Sequence, residues 1–148
     1  MATRKQKLGE AGETYVAKSC ACRRCKRIST LKRLPPNFKC ADLICDFCGW
    51  LAQVKTASVK SIDLLPDTIL GAAWEPQTER MDAGIYIPLF IVLVGPTGAK
   101  SVFFLSVEAQ EPSMFVPRKP LSSNAKRAGW QGFKYDLREW KSRLVRVD

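Results

Sequence analysis

Apolar and polar positions along residues 40–56, CADLICDFCGWLAQVKT, follow the pattern of a β-hairpin. The first arm runs Cys40 to Ile44, the turn is Cys45-Asp46-Phe47-Cys48-Gly49, and the second arm runs Trp50 to Thr56. Ahead of it, Leu8, Ala11, Tyr15 and Val16 repeat at i, i+3, i+7 and i+8, which predicts a helix over Leu8–Ser19. Gly9 and Gly12 weaken that helix, and residues 1–7 read as a mobile basic tail. On a wheel of about 100° per residue, Glu13 falls at the edge of the apolar stripe and Glu10 faces away.

Residues 26–39 read as a basic loop turning at Pro35-Pro36-Asn37, and residues 57–65 as a polar link. Pro66–Met81 is expected to hold a short helix broken by Pro76. Tyr86–Val94 is the most apolar run and reads as a buried strand, with Gly95-Pro96-Thr97-Gly98 as a turn and Ser101–Val107 as the return strand. Residues 108–117 are irregular apart from a short strand at Met114–Val116. A basic stretch, 118–135, interleaves Trp130, Phe133 and Tyr135, and Leu144–Val147 is a last short strand. The expected fold class is α/β (α+β): a mixed sheet with a helix at the front, in one domain over residues 1–148.

No run is long and apolar enough to span a bilayer, and the N-terminal MATRKQKLGE has no apolar h-region, so a cytoplasmic location is expected. The net charge is +10, unevenly spread. Residues 1–40 carry eleven bases and two acids, 41–115 four bases and nine acids, and 116–148 nine bases and three acids. Two basic ends around an acidic middle suit a polyanion gripped by the ends while acids in the middle hold metal ions. Arg118, Lys119, Lys126 and Arg127 are candidates for phosphate contacts, and Trp130 either stacks on a base or packs behind them.

The sequence has no histidine, which excludes Ser-His-Asp and Cys-His catalysis and any His-ligated metal. Its six cysteines point to metal rather than disulfides. Cys22-x-x-Cys25 and Cys45-x-x-Cys48, separated by nineteen residues, have the spacing of a closed four-cysteine zinc site, one zinc per chain. Cys20 and Cys40 read as non-ligands, Cys40 as a small core residue. Such a site would tie the first helix to the hairpin and bring Glu13 near Asp42.

Asp42 on one arm and Gln53-Val54-Lys55 on the other form a candidate phosphodiester-cutting site. Alternate strand residues share a face, so Gln53 and Lys55 project together and Asp42 can meet them across the pair. A divalent metal such as Mg²⁺ or Mn²⁺ wants oxygen ligands and activates a water. Asp42 and the Gln53 amide can supply oxygens, Lys55 can orient or deprotonate the water, and Glu13 can add a carboxylate. Asp-x10-Gln-x-Lys is a weak pattern alone; the cysteine turn between the arms makes its context unusual.

The order CxxC, proline-bearing loop, acid strand, CxxC and x-x-K strand resembles the catalytic domain of DpnI-type methyl-directed restriction endonucleases, within the PD-(D/E)XK nuclease superfamily. The resemblance returns at Arg118-Lys119-Pro120-Leu121 and at Ala125-Lys126-Arg127-Ala128-Gly129-Trp130. It implies a mixed sheet flanked by helices, a structural zinc held by Cys22, Cys25, Cys45 and Cys48, and Mg²⁺-dependent DNA cleavage by Asp42, Gln53 and Lys55. Gln53 replaces the usual second acid, and the winged-helix domain that reads methylated adenine in that family has no room in 148 residues. The partners expected are DNA and either a second copy or a separate specificity protein. Two readings from other classes compete: a zinc-containing DNA-binding module that does not cut, and a structural zinc protein or assembly subunit.

Overall fold

The computed structural model describes residues 2–148 apart from 37, 39 and 40. The reading of Cys40 as a core residue therefore lies outside the described residues.

Helix α1 spans Arg4–Ser19 rather than starting at Leu8. Thr3 explains the difference: its side chain accepts from the Gln6 amide while Gln6 returns a bond to the Thr3 amide, a capping box that draws the basic tail into the first turn. The basic loop contains a strand, β1 (Leu31–Arg33), absent from the sequence reading. It pairs antiparallel with β2 (Leu43–Cys45), which forms the expected hairpin with β3 (Leu51–Ser58) in the register Leu43↔Ala52 and Ile44↔Leu51.

Pro66–Met81 required correction. Its first half is strand β4 (Thr68–Ala73) and its second half helix α2 (Trp74–Asp82), with Pro76 inside the first turn. An amide there has no intrahelical acceptor, so a proline does not break the helix. Strands β5 (Leu89–Val94) and β6 (Lys100–Leu105) form the expected buried pair. β7 covers Phe115–Pro117, β8 Gly132–Asp136 and β9 Val145–Arg146. β8 was hidden in the basic stretch because its alternation, Phe133 and Tyr135 inward against Lys134, is short.

These strands make two sheets, not one. The first has the order β1-β2-β3-β5-β6-β9, with β3 and β5 parallel; the second is β4-β8-β7. β5 is buried on both faces, which is why it reads as a continuous apolar run. Leu89, Ile91 and Leu93 meet Phe115, Phe133 and Tyr135 of the second sheet. Phe90 and Val92 face the other way, with Ala52, Val54, Val16 of α1 and the cysteine-bearing turns. Among the described residues no helix is long and apolar enough to cross a membrane.

The functional consequence lies at β3. β2 covers only its first residues, so its outer edge is open beyond Ala52. α1 packs beside that edge, on the face of Ala52 and Val54, through Gly12, where an added Cβ would stand 1.8 Å from Thr56 Oγ1. The glycine that weakens the helix in isolation is what lets it lie against β3.

Candidate active site and metal centre

Each Cys-x-x-Cys turn closes on itself. The Cys25 and Cys48 amides point to the Sγ of Cys22 and Cys45 at 3.5 Å, and the Lys26 and Gly49 amides donate to the Cys22 and Cys45 carbonyls at 2.9 Å. Across the pair, Cys22 and Cys48 Sγ stand 3.7 Å apart, as do those of Cys25 and Cys45, and all four sulfurs lie within 4.8 Å of one another. A tetrahedron with metal–sulfur bonds of about 2.3 Å has edges of about 3.8 Å, so these four cysteines fit a metal such as zinc. Burial drives the Cys22 thiol up to about 12. At Cys45 burial also pushes upward, but Thr30, whose hydroxyl lies 3.3 Å away, and the Cys48 and Phe47 amides outweigh it and bring the thiol down to about 6. Cys20 is buried in the core beside this group and is not one of the four.

From the same hairpin, Asp42 reaches across to the open edge of β3, where its Oδ2 accepts the Val54 amide at 2.8 Å. The bond anchors the carboxylate between Gln53 and Lys55. Gln53 and Lys55 project to the side of Leu89 and Ile91, their partners on β5. Glu13 arrives from α1, held by Arg33 Nε at 3.4 Å. Burial and the nearby Asp42 charge raise the Glu13 carboxyl above its usual range, with Arg33 opposing. Burial holds the Lys55 ammonium below its usual range, although Asp42 and Glu13 pull it back.

Asp42 and Lys55 sit between two adjoining clefts. One, of about 620 Å³, is bordered by Gln53, Glu79, Arg80, Phe38 and Ile85. The other, of about 660 Å³, has Glu13 and Lys5 on one wall and Arg118, Arg127 and Trp130 on the other. The Arg127 guanidinium lies over the Trp130 ring, 4.5 Å from its centre. Of the basic residues expected to touch DNA, Arg118 and Arg127 therefore join the carboxylate site with Trp130, while Lys119 and Lys126 are exposed and do not line either cleft. Sequence reasoning missed Arg33, Arg80 and Lys5. Arg33 sits on the undetected strand, Arg80 on the helix expected to break at Pro76, and Lys5 in the supposed tail.

A family model described as DpnI, the Dam-replacing family, matches residues 2–143. No curated protein matches the chain.

Proposed function

The chain belongs to the Dam-replacing DpnI family, a restriction-related family, and from that premise we propose that it is a metal-dependent endonuclease hydrolysing phosphodiester bonds in DNA. The observation that carries the reading is the meeting of Asp42, Lys55 and Glu13 in a cleft whose far wall is Arg118, Arg127 and Trp130. The PD-(D/E)XK assignment rests on the same layout: an acid at the start of one strand, and an amide and a lysine two residues apart on the next.

Asp42 Oδ1, the Glu13 carboxylate and the Gln53 amide oxygen are the groups that would hold Mg²⁺ or Mn²⁺. When bound, such an ion polarises a phosphate oxygen and acidifies a water. Lys55, desolvated by burial beside Asp42, orients the attacking water or accepts its proton. The water oxygen bonds to phosphorus as the bond to the leaving sugar oxygen breaks; that oxygen takes a proton from solvent water, and the proton lost by the attacking water returns to solvent. Arg118 and Arg127 hold the flanking phosphates, and Trp130 offers a ring face to a base. The four cysteines hold a structural zinc that keeps the two arms of the hairpin, and so Asp42 and Lys55, in register. One domain spanning residues 1–148 accommodates both sites.

Incubation of plasmid DNA with Mg²⁺ or Mn²⁺ tests this. Wild type should nick or linearise it, more strongly with Mn²⁺, and Asp42→Ala should not. A second reading, a DNA-binding module that does not cut, draws on the uncharged Gln53; it would show as a gel shift with intact DNA for wild type and Gln53→Glu alike.

A further inference from the structure

The two cysteine turns share a backbone path but not a chemistry. Each ends on a residue with left-handed backbone: Gly49 at φ +78° in the second, Lys26 at φ +66° in the first. Glycine adopts this conformation without strain, whereas a side chain there crowds its own backbone. A lysine held at this strained position therefore weakens the fold locally, and strain of this kind concentrates at functional sites. Its surroundings are mainly basic, the acid of the facing turn, Asp46, being paired with Lys32 at 3.9 Å. Arg24, Lys26 and Arg27 are exposed around the first turn, and residues 21–33 contain no acid. Ile28 and Phe47 are 77% and 60% exposed at the tip, and the Arg27 guanidinium stacks on the Phe47 ring at 3.8 Å.

We propose that this cysteine-turn tip is a second nucleic-acid contact, with Arg24, Lys26 and Arg27 gripping backbone phosphates and the Arg27–Phe47 stack and Ile28 resting against the sugar–base edge. Three cations without an acid among them fit a polyanion, and a rigid cationic turn carrying apolar tips is suited to a groove edge. The position fits the reach of one duplex. Cys45 lies three residues along the strand from Asp42, about 10 Å at 3.3 Å per residue, well inside a helical turn of DNA of about 34 Å. This surface is separate from the Arg118–Arg127 wall, and it rests on the reading of DNA as the substrate.

The test uses full-length protein made cleavage-inactive by Asp42→Ala, with fluorescence anisotropy on a labelled 30-base-pair duplex across a salt series. In that background Arg24→Ala, Lys26→Gly and Arg27→Ala together should weaken binding at least tenfold near 0.15 M salt. Each phosphate contact contributes about 0.9 to the log–log salt slope, so the slope should fall by roughly 2 to 3. Lys26→Gly alone separates this role from a structural one: it should weaken DNA binding yet raise Tm by about 2 to 4 °C through relief of the strained backbone. An unchanged affinity and slope in the triple variant overturns the inference while leaving the nuclease reading intact. Loss of bound zinc from the triple variant also overturns it, because the bases would then be neutralising the thiolate cluster. If the parent protein binds no duplex at any salt, both readings fall together.

Discussion

At the residue scale the site is decided by which charges are placed where they are least comfortable. Asp42→Ala or Lys55→Ala should reduce plasmid cleavage to background without unfolding the protein, Asp42→Ala also lowering Tm by a few degrees because the Val54 amide loses its acceptor; a melting curve alongside the cleavage gel checks both. Gln53→Glu adds a charge where an amide now stands, so Mg²⁺ should bind more tightly, by isothermal titration, and cleavage with Mg²⁺ should rise. Equal failure of wild type and Gln53→Glu to cut or to bind a second metal would sink the nuclease reading. Glu13 permits a prediction with a definite sign. Its folded carboxyl is raised above 4.5, so between that value and the raised one the native state binds more protons than the unfolded chain. Stability falls as pH rises through that window, and the penalty is complete above it. E13Q should therefore melt higher than wild type at pH 7 without Mg²⁺, and should lose the stabilisation that added Mg²⁺ gives wild type. Lys55 has the opposite dependence. With its folded value held below 10.5, cleavage should climb with pH as the amine loses its proton.

Elements matter through how closely they approach. α1 presents Glu13 to the site only because Gly12 lets it lie on Thr56. Gly12→Ala would improve helix propensity by about 1 kcal/mol. In this fold it should instead destabilise by about 1 to 3 kcal/mol, since the new methyl forces α1 or Thr56 to move. Denaturant unfolding measures the loss, and a drop in cleavage larger than the stability loss explains would show that Glu13 has shifted. The two cysteine turns act on the same hairpin from its other end. Metal analysis should find one zinc per chain, and a strong chelator should loosen the hairpin and with it Asp42, seen as a lower Tm and lost cleavage.

For the molecule as a whole, charge and layering set the substrate. The six-stranded sheet packs α1 and the cysteine turns against one face and the three-stranded sheet against the other, and the clefts open where β3 lacks an outer neighbour. Arg118→Ala with Arg127→Ala should weaken duplex binding and lower its salt slope by roughly 2, since each guanidinium stands for about one phosphate. Lys119→Ala with Lys126→Ala should do less, as both side chains lie outside the clefts. An identical loss from the two pairs would mean that general basicity, not the cleft, holds the DNA.

Short-range patterns were legible because local chemistry specifies them. Two Cys-x-x-Cys turns at matching spacing can close one tetrahedron almost regardless of what lies between, and LFIVLV can be little other than a strand buried on both faces. The hairpin followed from the same alternation, and with it the placement of Asp42 opposite Gln53 and Lys55. The longer-range arrangement was not legible. That residues 68–73 and 132–136 pair in a second sheet depends on partners 59 to 68 residues apart, with no local signature. Arg33 and Lys5 enter the site only because β1 pairs with β2 and a capping box extends α1, and Arg118 and Arg127, on the segment between β7 and β8, reach it only because β8 pairs with both β7 and β4. Periodicity reports which face of an element is buried; which other element covers that face, and so which charges meet in one cleft, is a property of the packed molecule.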